Sequence, residues 1–285
     1  MSSVIVIGSG SWGKALGKVF QAEEIIAGRS DARDINADYI FIAVEAQKFR
    51  EVISKHKFSP QTVLIICSKG IEQGSLKLLG EIVEEILPRN EYAILSGPNF
   101  ADELEKGLPA ATTIACKSEK TGDRIIKDLA KPHFRLYLTN DVIATQVGGA
   151  VKNVIAIASG IAIGKGLGEN ARAAIITRGI AEISRLVEAL GGQTETLMGL
   201  GGFGDMILTC TSIKSRNTSF GAALGKGVEN VNNGVIEGYY TAKSVSELAK
   251  KLKIEMPICF MVHEILYNDK DINEAINDLL KRPQG

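Results

Sequence analysis

Neither sign of charge is in excess in this sequence. Lysine plus arginine number 33 and aspartate plus glutamate 33, so no global field favours nucleic acid or an anionic membrane. An anionic ligand must then be small and locally recognised. Cysteine is scarce: Cys67, Cys116, Cys210 and Cys259 are scattered without CxxC or Cys/His spacing, which argues against a disulfide scaffold and a zinc site and suits a reducing cytoplasm. The N-terminus offers neither a basic leader nor a long apolar stretch before Gly8, and the apolar run at 154–164 falls short of a membrane span. The expectation is an unexported protein without membrane insertion. Internal repeats and low-complexity segments are missing too.

What is present is an ordinary globular composition, 45% hydrophobic and 23% charged over 285 residues, enough for one large or two medium domains. Short β-branched runs alternate with helical stretches through the first half: VIVIG at 4–8, EIIAG at 24–28, YIFIAV at 39–44, TVLIICS at 62–68 and YAILSG at 92–97. Because these runs are continuously apolar rather than alternating, they predict parallel strands covered on both faces, with 12–20 and 74–87 as covering helices. ATTIAC at 111–116 and RLYLT at 135–139 complete the sheet. Beyond residue 141 helical periodicity takes over, at 142–163, 170–190, 219–226, 241–252 and 257–267. Thr139-Asn140-Asp141 offers a helix N-cap at this change of texture, which places a domain junction near 141.

VIVIGSGSWGKALGKVF carries G-x-G-x-x-G on Gly8, Gly10 and Gly13, between a strand and a helix. Gly8 permits the tight turn, Gly10 lets a pyrophosphate approach the backbone, and Gly13 lets helix and strand pack closely, while the helix N-terminus presents unpaired N–H groups. A turn with glycines for geometry alone is the competing reading; the strand before and helix after favour dinucleotide binding. About 20 residues further on, where NAD-binding units place an acid for the ribose, stand Gly28-Arg29-Ser30. An arginine and a hydroxyl suit a 2′-phosphate and favour NADP(H), with Asp31 one position away for NAD(H). Only nine residues, Ser30 to Asp38, then separate Arg29 from the third strand, too few for a full crossover helix.

Three segments follow strands on the rim where ligands gather: Glu45-Ala46-Gln47, Ser68-Lys69-Gly70 and Ser96-Gly97-Pro98-Asn99-Phe100. Alone, a lysine after a strand is a solvated charge and SGPNF a turn; their common placement raises both. In VGGAVKNVIAIASG, Gly148, Lys152, Ala156 and Ser159 fall on one helical stripe. Two glycines within a helix cost about 1 kcal/mol each, so either close packing or room for a ligand beside Lys152 must offset them. GLGGFGDMILTCTSIKSRN adds Asp205, which either contributes to chemistry or caps a helix, and Ser215-Arg216-Asn217, whose arginine suits phosphate.

Taken together, GSGSWGKALG, SKGIE, SGPNF, GGAVKNVIAIASG, GLGGFGDMILTCTSIKSRN and VIEGYYTAKSV resemble NAD(P)-dependent glycerol-3-phosphate dehydrogenases of the bacterial soluble type, in matching order over nearly the whole chain. The resemblance implies an α/β fold: a Rossmann-type, mostly parallel sheet domain over 1–141 and a mainly α-helical substrate domain over 142–285. It implies NAD(P)H-dependent, reversible reduction of dihydroxyacetone phosphate to sn-glycerol 3-phosphate for phospholipid synthesis, in the cytoplasm, with the oligomeric state open between monomer and homodimer. Lys152 matches the family's catalytic proton donor and acceptor, and Lys69 its lysine at substrate and nicotinamide. Asp205 would orient both lysines. Gly97 and Asn99 match substrate positions, as do Ser215, Arg216 and Asn217. The implied cofactor contacts are Ser11, Trp12, Arg29, Ala101, Val235 and Glu237 beside the glycine turn, with Lys69 and Arg216 shared. Two departures stand out: Glu45 occupies a position where AVPSQ-like sequences have proline, and the connection after strand two is short. The rivals are another two-domain β-hydroxyacid or ketopantoate-type dehydrogenase and a dinucleotide-sensing module without turnover.

Overall fold

The computed structural model describes residues 2–228 and 234–282. Its strands are β1 (Val4–Ile7), β2 (Glu24–Ile26), β3 (Asp34–Ile35), β4 (Tyr39–Ile42), β5 (Lys57–Phe58), β6 (Val63–Ile66), β7 (Tyr92–Ser96), β8 (Ala110–Ala115) and β9 (Phe134–Thr139). Seven form one sheet in the order β2-β1-β4-β6-β7-β8-β9, parallel except where β8 runs antiparallel to β7; β3 and β5 make a separate parallel pair. Every residue of β1, β4 and β6 is buried, as the unbroken apolar runs predict for strands covered on both faces. One face packs Phe20, Phe41 and Phe134 together, and the other packs Phe49, Ile53 and Ile82. Between β2 and β4 the chain forms only the two-residue β3, in keeping with its nine-residue length.

The expected covering helix at 74–87 begins later, at Leu79, and ends at Ile86. Gly74 and Leu76 both take positive φ, and a bridge between Ile71 and Leu78 closes this stretch as a turn before the helix starts. Five further helices, Phe49–Lys55, Ala101–Glu105, Glu119–Leu129, Asp205–Thr211 and Ile272–Leu280, were not foreseen from periodicity. Most are short, and the two longest are polar on their outer face.

Asp141 caps the helix Val142–Gly164: its Oδ1 accepts the Ala144 N–H at 2.9 Å and its Oδ2 the Gln193 N–H at 2.7 Å. Around that helix stand Gly168–Ala189, Arg216–Gly225, Glu237–Leu252 and Pro257–Tyr267. The helix is 23 residues long and apolar enough to cross a membrane, more than the 154–164 run suggested; yet 83% of its most apolar window is buried, as the centre of the third hydrophobic cluster. Its apolarity is that of a core helix. Both helix glycines are closely packed: a Cβ on Gly149 would lie 2.8 Å from Ser96 Oγ of β7, and one on Gly148 would lie 3.2 Å from the Gly201 carbonyl oxygen. The four cysteines are unbridged and buried.

Candidate active site

Strand β1 is the point from which the chain leaves in both directions across the sheet, to β2 on one side and β4 on the other. The loops at such a reversal diverge and leave a crevice. Here it opens into a cleft of about 1170 Å³ between the strand ends and the helices beyond residue 141. Gly8 has φ +125°, and any Cβ on it would strike the Ala43 carbonyl at 2.3 Å. Only glycine turns this corner without strain. A Cβ on Gly10 would meet nothing within 4 Å, whereas one on Gly13 would lie 1.8 Å from the Gly8 carbonyl. The first therefore leaves the backbone open to the cleft, and the second locks the helix Ser11–Phe20 against the turn. That helix begins without a side-chain cap, so its first N–H groups face the cleft mouth as an anion site.

Most of the residues singled out from the sequence line this one cleft: Gly8, Gly10, Ser11, Trp12 and Arg29 from the ends of β1 and β2; Lys69, Asn99 and Ala101 from beyond β6 and β7; Lys152, Asp205, Ser215, Arg216, Asn217, Val235 and Glu237 from the helical half. Gly13 and Gly97 do not line it. Gly97 presses on β8, where a Cβ would lie 2.6 Å from Thr112 Oγ1, so it shapes the wall from behind.

At the deep end three charges meet. Lys152 donates to Asp205 Oδ1, and Lys69 donates to Asp205 Oδ2 at 2.6 Å. Lys152 also donates to Thr209 Oγ1 at 2.7 Å, and that hydroxyl lies 3.3 Å from Asp205 Oδ1. Asp205 thus opens its helix but spends its carboxylate on the two lysines, one from each half of the molecule. Lys152 is 6% exposed and Asp205 2%, so water screens neither. Burial disfavours the Lys152 ammonium, Asp205 opposes that and Lys69 adds to it; the net effect is a pKa lowered to about 8. Burial raises the pKa of Asp205, but the two lysine charges outweigh it and hold the carboxyl below the ordinary aspartate range. Thr209 was missed from sequence; its only signal is its spacing of four residues from Asp205 on one helix.

Ser215 caps the helix Arg216–Gly225 by accepting the Thr218 N–H at 3.3 Å, which puts Arg216 at its first turn. Among the described residues Arg216 has no ion-pair partner. The Asn217 carboxamide is engaged on both sides, donating to Asn153 Oδ1 at 3.0 Å and accepting the Gly238 N–H at 2.9 Å, so it braces the wall it lines. Glu237 Oε1 accepts the Ala46 N–H at 3.1 Å, while its Oε2 and Asn99 Oδ1 are buried without partners among the described residues. Burial pushes the Glu237 carboxyl up to about 7 against the Ala46 N–H and Arg216, with Glu45 reinforcing the rise. Open backbone at Gly10, an uncapped helix start and buried oxygens without donors fit a dinucleotide with phosphates at one end and a polar ring at the other. Glu45 has φ −56°, a value proline also adopts, so its departure from the expected residue leaves the backbone path unchanged.

Models for the N-terminal and C-terminal parts of NAD-dependent glycerol-3-phosphate dehydrogenase match residues 24–122 and 141–277. A glycerol-3-phosphate dehydrogenase [NAD(P)+] of Caulobacter vibrioides is 42% identical, over 98% of this chain and 96% of its own. One from Rhodospirillum rubrum is 45% identical over 87% of this chain and 73% of its own. The crystal structure of glycerol-3-phosphate dehydrogenase from Coxiella burnetii superposes with a TM-score of 0.90 at 35% identity, covering 99% of each chain.

Proposed function

The chain belongs to the NAD-dependent glycerol-3-phosphate dehydrogenase family, and from that membership we infer how its cleft performs the reaction. It reversibly reduces dihydroxyacetone phosphate to sn-glycerol 3-phosphate with NAD(P)H, a product that supplies the phospholipid backbone. The observation carrying the residue-level reading is the Lys69–Asp205–Lys152 cluster, two ammonium groups sharing one buried carboxylate at the deep end of the cleft.

When bound, the nicotinamide supplies the hydride that reduces carbon 2 of the substrate. Lys152 as ammonium gives its proton to the oxygen developing on that carbon, and as amine it takes the proton back in the oxidative direction. Two positive charges and one negative leave a net positive site, which favours a developing alkoxide where water is excluded. Lys69 holds the second charge against that oxygen. Asp205 and Thr209 occupy two directions of the Lys152 amine and so fix where it points. Arg216, at a helix start, grips the substrate phosphate together with Ser215, with Asn217 bracing the wall and Asn99 adding a polar contact. Gly8, Gly10, Ser11 and Trp12 take the dinucleotide phosphates, while Ala101, Val235 and Glu237 line its path. Arg29 favours NADP(H) over NAD(H).

The chain divides into a dinucleotide-binding unit over 1–141 and a helical substrate unit over 142–285. Four unbridged thiols support a cytoplasmic location. For self-association a homodimer is the reading to test by sedimentation, supported by Met198, Phe203, Ile207 and Ile213 exposed on the helical half. The deciding experiment is turnover of dihydroxyacetone phosphate by the purified chain with NADPH and NADH in parallel. Binding of either cofactor without its oxidation would instead indicate a dinucleotide-sensing module.

A further inference from the structure

Lys214 is used by nothing described so far, yet it lines the cleft from the helical half and reaches across to the sheet half. Its Nζ lies 3.3 Å from Asp102 Oδ2 and 3.0 Å from Glu103 Oε1, and 5.6 Å from the centroid of the Phe100 ring. All three partners belong to the segment following β7, at the start of the helix Ala101–Glu105. Its backbone is equally constrained. The Lys214 N–H donates to Ser212 Oγ at 3.2 Å and the Ser215 N–H to the Ser212 carbonyl at 3.1 Å, closing a tight turn between the helix bearing Asp205 and the helix opened by Arg216. The adjoining residue at that turn is the cap of the Arg216 helix. A pull on Lys214 is therefore delivered two residues later, at Arg216.

We propose that Lys214 is a positioning residue, tying the Arg216 corner to Asp102 and Glu103 so that the phosphate grip is held over the cleft. This rests on the phosphate role of Arg216 given above. The tether is exposed, with Lys214 at 52% and its partners at 51% and 43%, so its effect is modest and salt-sensitive. Lys106 also approaches Asp102, at 4.0 Å, but directly follows the same short helix and cannot bridge the two halves.

The test is steady-state kinetics with NADPH and varied dihydroxyacetone phosphate, with thermal melts to show that each variant is folded. Lys214→Ala should raise KM about threefold to tenfold, within the range that two exposed pairs supply, with kcat within about twofold. Lys214→Arg should match the parent, and Lys214→Glu with Glu103→Lys should recover most of the KM lost by Lys214→Glu alone. In an Arg216→Met background, itself raised in KM, Lys214→Ala should add nothing. An unchanged KM, an equal effect in both backgrounds, or no recovery on exchanging the charges would each overturn the tether while leaving the Arg216 assignment standing. Parent-like KM in Arg216→Met would overturn that assignment and the tether with it.

Discussion

The two ends of the cleft hold their charges in opposite ways. At the deep end Lys152, Lys69 and Asp205 are joined to one another, and Lys152 and Asp205 are almost wholly buried. At the mouth Arg29 is exposed and, among the described residues, has no ion-pair partner, while the neighbouring Ser30 hydroxyl is buried with nothing to bond. The deep end is held together by its own ion pairs, whereas the mouth presents its polar groups unpaired among the described residues. Substitutions should follow that contrast, because an uncompensated buried charge costs several times more than an exposed one.

The largest effect is expected at Lys152. Lys152→Met should lower kcat/KM about 10²- to 10⁴-fold, the usual contribution of a positioned general acid, while NADPH titration still shows binding. Full turnover in that variant would remove the proton-transfer role. Asp205→Asn comes next, since it leaves two ammonium groups against a neutral amide in a largely buried site. Urea denaturation should show a loss of roughly 3–5 kcal/mol, typical of breaking a buried pair. A loss as small as that of a surface substitution would erase the contrast between the two ends.

Acidity sharpens the same contrast. In the proposed role Lys152 is charged when it donates and neutral when it accepts, and its pKa is lowered to about 8. The reductive rate should therefore fall as pH rises through about 8, and the oxidative rate should rise over the same interval. Each limb should approach a tenfold change per pH unit once well past its midpoint. Profiles that run in parallel in the two directions would exclude Lys152 as the titrating group.

How much of this could be read from the chain alone follows the same physics. Tyr39–Ile42 and Val63–Ile66 were legible as covered parallel strands because burial on both faces leaves a continuous apolar run. Gly8 and Gly13 were legible because a corner at positive φ and a helix pressed onto the turn admit almost no other residue. Thr209 was not, since a threonine inside a helix looks the same whether it meets solvent or Lys152. Neither was the reversal of β8 against β7, which depends on how the connection at 97–109 runs rather than on the strand's own residues. The late start of the helix at Leu79 was hidden because Leu76, a good helix former, sits at φ +60° in the turn. Lys214 and its anions lie 112 and 111 residues apart in the chain, a distance at which no local pattern speaks.

At the mouth, reversing one exposed charge should act on cofactor choice and little else. Arg29→Asp should cut the preference for NADPH over NADH by about tenfold, near 1.4 kcal/mol, with the KM for dihydroxyacetone phosphate unchanged. Equal losses with both cofactors would mean that Arg29 does not read the phosphate, and Asp31 would become the residue to examine for a ribose contact.

The smallest effect is expected at Glu45, on the wall between the two ends. Its φ of −56° is within reach of proline, and its backbone N–H has no partner among the described residues, so the imide ring forfeits no hydrogen bond there. Glu45→Pro should therefore stabilise the chain by about 0.4–1 kcal/mol, chiefly by restricting the unfolded state. The substitution also removes a negative charge that helps raise the Glu237 pKa, so the midpoint of Glu237 titration should move down from about 7. A higher melting temperature with that downward shift would mean that this position is tuned by charge alone. A lower melting temperature would mean instead that the glutamate holds a contact worth more than the restricted backbone, and that the wall is a third kind of region, neither bound into an ion-pair cluster nor left unpaired.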